Sequence, residues 1–433
     1  MGKKWSCSML SVLMAVTVAL VGCANQVPGN GGTKENSAAG ESGNKAKPTK
    51  NVTLKAIGLT PQHAENVKAI VSDYEAEHPG VKVDFQIPPD KASTLLKTRF
   101  AAGDAPDIFY LGASEIPAWA DKLADLSKEP WMAHALKPSL APMTINGKQL
   151  GFPMQVEGHG FVYNKDLFAK AGITKVPTTL TELKQTADKL KAANIQSFGE
   201  AWSNWGFLMH LLGIPFAYEK DQAGLIDQIN KGTKQIKNVT NIDNFFTVLD
   251  LTDDYGLGKQ SVGYDFNQQQ KDFADGKMAM IKQGTWYTGP LLKLNPKLNM
   301  GMFAVPLNDN AEETKMQVAT TAYFVLHKDS ANLEESKEFL TWLHKNGQKY
   351  IVEKMNLAPV FDDVNGKNLG PLHEDMNSYV KAGKTYDNYG TGLWPAGFNT
   401  DIAKPLQAYI AGVANKEETL KQLQDLWIQH MKK

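Results

Sequence analysis

Cysteine is nearly absent from this sequence. Only Cys7 and Cys23 occur, both near the N-terminus. Neither sign of charge is in excess, since Lys+Arg and Asp+Glu both number 46. That balance argues against a nucleic-acid partner, which needs a basic patch. Beyond the N-terminal segment no apolar run is long enough to span a bilayer as a helix. There is no Gly-x-x-x-x-Gly-Lys-Ser/Thr loop, so the chain does not bind ATP through a P-loop. His-Glu-x-x-His and Cys-x-x-Cys are also missing, so no zinc site is legible and no metal or cofactor is expected. Gly112-Ala113-Ser114-Glu115-Ile116 fails the Gly-x-Ser-x-Gly nucleophile elbow at its last position.

What is present begins at the N-terminus. Met1-Gly2-Lys3-Lys4 is a positive start, and Met9 to Val21 is an apolar run too short to span a bilayer comfortably. Leu20-Val21-Gly22-Cys23 then matches the pattern of bacterial lipoproteins, in which small residues precede a Cys whose sulfur takes the lipid. Residues 1–22 are therefore expected to be a lipoprotein signal peptide, with Cys23 the lipidated first residue of the mature chain. The competing readings are an uncleaved anchor and N-myristoylation, the latter because Gly2 with Ser6 fits that pattern. The apolar run that follows argues against myristoylation. With Cys7 removed, no intrachain disulfide is possible, so stability has to come from the core. A diacylglycerol anchors strongly, since each buried CH₂ contributes ~0.8 kcal/mol. Residues 23–50 are rich in Gly, Asn, Ser, Lys and Ala and nearly devoid of large apolar residues. Such a segment is expected to be a flexible tether, reaching roughly 25–30 Å.

From Asn51 onward the composition is globular, and the length predicts two lobes. No internal repeat is visible. Val52, Leu54 and Ala56 alternate with polar residues as in a strand. Thr60 and Pro61 suit an N-cap and first helical position, and Val67, Ile70, Val71 and Tyr74 recur with helical spacing. His78-Pro79-Gly80 ends that helix. Val81, Val83 and Phe85 predict a second strand, and 90–102 a second helix stopped by Gly103. Ile108-Phe109-Tyr110-Leu111 suits a strand buried on both faces. Strand, helix, strand, helix, strand predicts an α/β lobe whose ligands bind beyond the carboxyl ends of the strands. Further on, Phe161-Val162-Tyr163, Met278 to Ile281 and Ala322 to Leu326 read as strands. Thr179 with Glu182 reads as a capping box before a helix buried through Leu183, Ala187 and Leu190. Leu420, Leu423 and Trp427 mark a terminal amphipathic helix.

Several segments resemble the family 1 extracellular solute-binding proteins of ABC importers, the group that includes maltose-binding protein. They are Ala102-Gly103-Asp104-Ala105-Pro106-Asp107-Ile108; Gly151-Phe152-Pro153 with Phe161-Val162-Tyr163-Asn164-Lys165-Asp166-Leu167-Phe168; Phe273-Ala274-Asp275-Gly276-Lys277-Met278-Ala279-Met280 with Gly284-Thr285-Trp286; and Ala322 to Lys328 with Trp342-Leu343. In this order, and behind a lipobox, the set is specific and covers nearly everything from Val52 to the C-terminus. The resemblance implies two α/β lobes, each a sheet flanked by helices, joined by three chain crossings and closing by hinge bending on a ligand in the cleft. By analogy lobe one takes residues 51–155 and 320–356, and lobe two 156–319 and 357–433. Crossings are expected near Gln155-Val156, Ala319-Thr320 and Leu357-Ala358. The implied function is a lipid-anchored, extracytoplasmic, monomeric binding subunit that delivers a carbohydrate to permease subunits and is not an enzyme.

The resemblance also implies ligand positions. Glu157 follows Pro153 where maltose-binding protein has a sugar-binding carboxylate, and a carboxylate can accept two sugar hydroxyls at once. Glu115 and Ser114 end the third strand and are expected to face the cleft. Trp202 and Trp205 lie where the family has sugar contacts, and Trp286 aligns with an aromatic that stacks on a sugar ring. Trp394 sits in a Gly-flanked loop before the last helices. Apolar C–H faces of pyranoses pack on indole, and hydroxyls need fixed polar partners. Core packing is the competing role for any of these tryptophans, and is the one expected for Trp119, Trp342 and Trp427. His159, Gln62, His63, Gln155 and Asn399 are further polar candidates. Gly112-Ala113-Ser114-Glu115 lacks the Asp-Arg pair of maltose-binding protein, so the pocket is not a copy of that one and leaves room for another sugar. Two alternatives stay open: a secreted glycan hydrolase using Glu157 and a second carboxylate, and a receptor for a non-sugar solute.

Overall fold

The computed structural model describes residues 51–59, 63–88, 92–387 and 389–432. The expected signal peptide, Cys23, the tether, Thr60, Pro61 and Gln62 lie outside the described residues. In chain order the strands are β1 (Val52–Ile57), β2 (Val81–Gln86), β3 (Ile108–Gly112), β4 (Thr144–Ile145), β5 (Lys148–Gln149), β6 (Phe152–Pro153), β7 (Val156–Asn164), β8 (Met280–Gly284), β9 (Met300–Phe303), β10 (Met316–Thr320), β11 (Ala322–Leu326) and β12 (Thr385–Tyr386). They build two five-stranded sheets and a small hairpin of β4 with β5. The first sheet runs β2-β1-β3-β11-β6; the second runs β12-β10-β7-β8, with β9 also on β7. β1 pairs parallel with β2 and β3, whereas β11 is antiparallel to β3 and β6. β7 is antiparallel to β8, β9 and β10. The architecture is α/β, as expected, with helices packed on both sheets.

The apolar runs explain why each sheet is covered twice. Ile108 packs into one core with Val52, Leu54 and Ala56, while its neighbour Phe109 packs into another with Leu111 and Val325. Phe161 and Val162, or Met280 and Ile281, divide in the same way between the two cores of the second sheet. Successive strand residues point to opposite faces, so a strand buried on both sides must be apolar without alternation.

Local signals act as their chemistry dictates, with adjustments. The helix Ala64–Glu77 buries Val67, Ile70 and Tyr74, and the helix Ala92–Ala101 ends before Gly103, whose φ is +71°. Thr179 Oγ1 does cap the helix Leu180–Ala192 by accepting from Glu182 N at 3.1 Å. Glu182 does not complete the box at Thr179, because its carboxylate accepts from Thr178 N at 2.7 Å and from Thr178 Oγ1 at 2.9 Å. The terminal helix Lys416–Met431 buries Leu420, Leu423 and Trp427. Trp119 and Trp342 are buried as expected.

The chain passes between the sheets over Met154–Gln155, from β6 to β7, and again at Thr321, from β10 to β11. At a third place Val156 N donates to Ala358 O at 3.0 Å. Beyond it, Val360 and Phe361 still belong to the core of the first sheet, where Phe361 packs on Phe152 and Trp131. Ala358 itself packs into a core of the second sheet, so this stretch carries contacts to both sheets.

Phe109 tests the doubly buried strand. It is fully buried, edge-on to Phe100 and Trp119 with ring centroids 5.5 and 5.6 Å away. Phe109→Ala should cost about 3–5 kcal/mol, read as a lower urea midpoint at unchanged slope. A loss under about 1 kcal/mol would contradict this packing.

Candidate functional site

A cavity of about 490 Å³ is lined by segments of both sheets. From the first side come Ala113 and Pro117, just after β3, and the stretch 141–145 that leads into β4. From the second come His159 on β7, Met209 and His210 on the helix Trp205–Ala217, and Gln317 on β10. Ala319, Thr320 and Thr321, where the chain passes between the sheets, line it as well. Asp387 and the turn Thr391–Leu393 complete the wall. Two bonds from the buried Gln222 fix that loop: its Nε2 donates to Asp387 O at 2.8 Å, and its Oε1 accepts from Gly390 N at 2.7 Å. The turn Tyr389–Leu393 packs on the turn Ala113–Glu115.

Strand register sets the polar wall. His159 pairs with Gln317 and Glu157 with Ala319, so both side chains of each pair stand on one face of the sheet. His210 meets His159 from the neighbouring helix, ring centroids 4.3 Å apart and edge-on. Neither ring nitrogen of His159 has a hydrogen-bond partner within the protein, nor do His210 Nδ1 and Gln317 Oε1. Thr320 Oγ1 on the same wall is unpaired as well; buried polar atoms are ordinarily paired, so five unpaired ones at a single cavity mark a place for a polar ligand. Burial holds His159 well below the usual histidine range, helped by His210 and Lys282, and pushes His210 down to about 3. Both are neutral imidazoles at physiological pH, each offering one donor and one acceptor. Lys282 lies behind them, fully buried, and its backbone N–H is bound by the buried Glu200 carboxylate at 2.9 and 3.0 Å. No Lys or Arg lines the cavity among the described residues, and Asp387 is the one formal charge there. A wall of paired donors and acceptors without cations fits hydroxyl groups better than phosphates or carboxylates.

Of the described residues singled out from sequence as ligand contacts, His159 alone lines this cavity. Glu157 stands two residues before it on the same face of β7, at the cavity margin. Its carboxylate accepts from Gln155 Nε2 at 2.7 Å; burial pushes it up to about 7, against a hydrogen bond from Thr321. Trp286 is half-buried behind the histidines rather than on the wall. Its ring is edge-on to His159 at 4.9 Å and tilted against His210 at 5.9 Å, and its Nε1 donates to Gln283 Oε1 at 3.0 Å. Glycine is required at 284 because a Cβ there would come within 2.1 Å of this indole.

Trp202 and Trp394 are corrections. Trp202 is fully buried in the core of the second sheet. Trp394 packs on Phe216, Phe398 and Trp427, with its neighbour Leu393 reaching the cavity instead. In both cases an indole gains more from a full apolar shell than from a half-wet wall. Trp205 is exposed at the start of its helix, away from the cavity lining. Glu115 bends back to accept from Gly112 N at 3.0 Å, so it caps its own turn. His63 precedes the helix Ala64–Glu77 and is lowered by burial, but does not line the cavity. Asn399, on the short helix Phe398–Asp401, does not line it either. The Ser114 side chain and all of Gln62 lie outside the described residues. The expected aromatic lining is absent, since no Trp, Tyr or Phe is among the described residues of the wall. Sequence reasoning missed His210, Gln317, Met209, Asp387 and Thr391. The first had a readable signal: one histidine in the otherwise apolar run Phe207 to Phe216.

Known proteins share this construction. The multiple sugar-binding protein of Streptococcus mutans is 25% identical over 345 residues, covering 76% of this chain and 77% of the relative. Among solved structures, the apo form of RafE from Streptococcus pneumoniae superposes with a TM-score of 0.73 at 19% identity, covering 89% of this chain and 100% of RafE. A sugar transporter of Bacillus licheniformis, solved in complex with stachyose, gives 0.71 at 20% identity, covering 87% and 100%. At these identities the structures establish the two-lobe fold. The sequence pattern of the bacterial extracellular solute-binding proteins matches residues 60–350, more than half of the chain, and the protein therefore belongs to that family.

Proposed function

We propose that this protein is the lipid-anchored binding subunit of an ABC importer and holds a neutral oligosaccharide in the cavity between its two sheets. The family is extracellular, and its members and structural relatives are binding proteins, not enzymes, which removes the hydrolase alternative. One observation carries the reading: His159, His210 and Gln317 present unpaired buried polar atoms to a cavity of about 490 Å³ that has no cationic residue in its described wall. Sugar hydroxyls both donate and accept, and so complement neutral imidazole and amide groups. Met209, Leu393, Pro117 and Pro142 supply apolar surface for the C–H faces of the rings. Glu157, close to half-protonated at neutral pH, can serve a hydroxyl in either sense. Trp286 acts through the histidines by fixing their rings. Relatives named for melibiose, raffinose and stachyose, for maltotriose and for diacetylchitobiose favour oligosaccharides over a non-sugar solute. Under this proposal the lobes are residues 51–155 with 320–356, and 156–319 with 357–433. The chain acts as a monomer that closes on its ligand and presents it to the permease.

Calorimetric titration with raffinose, stachyose, maltotriose and diacetylchitobiose tests the ligand class. At least one should bind and be recovered unchanged. Gln317→Ala and His159→Ala should each weaken that binding about 10- to 100-fold, as for loss of one buried hydrogen-bonding partner. Binding of a phosphorylated or cationic solute in preference to every sugar would overturn the proposal.

The anchor is tested separately. Among the described residues no helix is long and apolar enough to cross a membrane; the support for lipid on Cys23 is the Leu20-Val21-Gly22-Cys23 motif behind its apolar run. In a bacterial host, Cys23→Ser should abolish incorporation of labelled fatty acid and leave precursor or released protein. Equal label in both forms would reject the lipobox.

A further inference from the structure

A second cluster lies away from the cavity, on the first-sheet side of the molecule. His134 closes the short helix Pro130–His134, His344 lies near the end of the helix Leu333–Lys345, and Asp362 and Asp363 follow Phe361. His134 Nδ1 lies 2.9 Å from Asp362 Oδ1 and 3.6 Å from Asp363 Oδ2. His344 Nε2 lies 3.0 Å from the other oxygen of Asp363. The ligating atoms of His134, Asp362 and Asp363 all lie within 4.8 Å of one another. The two imidazoles stack at 5.8 Å, with Asp363 bridging them.

We propose that His134, His344, Asp362 and Asp363 bind one divalent transition-metal ion of the zinc type. Two imidazoles and two carboxylates are a donor set that suits zinc, and softer ions of that series, better than calcium or magnesium, which favour all-oxygen shells. Metal–ligand distances near 2.0–2.2 Å put the donors of a tetrahedral ion roughly 3.4 Å apart. The contacts of 2.9–3.6 Å that join His134 to both aspartates, and His344 to Asp363, are close to that, whereas His344 stands outside the group whose ligating atoms all lie within 4.8 Å and has to move in to complete the set. The ion would replace the protons now shared between imidazole and carboxylate.

The frame is already built. His344 is 9% exposed and held edge-on by Phe361, ring centroids 4.6 Å apart. Asp362 N donates to His134 O at 2.9 Å, and Ala135 bridges Phe361, so the two backbones run side by side there. The ligands come from three segments, of which the one carrying His134 is about 200 residues from the others in sequence. The ion would thus staple the segment that leaves the first sheet to two elements that remain on it. It contributes stability and plays no direct part in sugar binding.

The full-length chain, purified in detergent without a polyhistidine tag, is titrated with zinc chloride by calorimetry and by thermal unfolding. One zinc per chain should bind and raise the melting temperature. His134→Ala, at a partly exposed position, and the isosteric Asp363→Asn should each weaken that binding at least tenfold, with circular dichroism reporting an intact fold. Diffraction at the zinc edge should place the ion among these four side chains. No saturable zinc binding up to about 1 mM, undiminished binding in both variants, or an anomalous peak elsewhere would each overturn the site.

Discussion

The pairing of β7 with β10 is the constraint on which the rest of the molecule depends. Its register sets His159 opposite Gln317 and Glu157 opposite Ala319, turning Glu157 and His159 toward the face on which the cavity forms. A slip by one residue would send both into the opposite core and bring Gly158 and Gly160 to the wall. The register is held from the other side of β7 as well. There β8 pairs along its second half, while β9 takes the edge beyond β10, and Gly160 is required because a Cβ would come within 2.2 Å of Phe303 O. β10 then continues through Thr321 into β11 of the first sheet, so one run of chain is at once the polar wall and a passage between sheets.

Electrostatics give the cavity its character. The molecule buries ionisable groups behind the wall and presents neutral imidazole and amide groups on it, with Asp387 the one formal charge among its described residues. Lys282 and Glu200 sit beneath, both shifted by burial toward their uncharged forms. The charge of Lys282 beneath adds to burial in keeping His159 and His210 uncharged. Depressed histidine values mean that the unfolded chain takes up protons below about pH 6.5 that the folded one refuses, so each of the two groups weakens the fold as the pH falls. Such a site is poised for uncharged ligands at neutral pH.

Much of the fold could be read from the chain because burial on both faces leaves an unmistakable run. Ile108 to Leu111 and Ala322 to Leu326 are strands as expected, and Val67, Ile70 and Tyr74 face inward. The site was less legible. Trp202 and Trp394 occupy places where an indole can serve a sugar or a core with equal local grammar, and the decision came from distant partners such as Phe216, Phe398 and Trp427. Gln317 is one polar residue in a strand, and only its partner on β7 gives it a role. His134, His344 and the two aspartates form no motif at all, because three separate segments bring them together.

The central claim is that one ligand touches walls carried by both sheets and so favours the closed arrangement. Small-angle scattering measures this most directly, on the protein alone and with whichever panel sugar saturates it. The account predicts a smaller radius of gyration with sugar bound. An unchanged radius at saturation would contradict it.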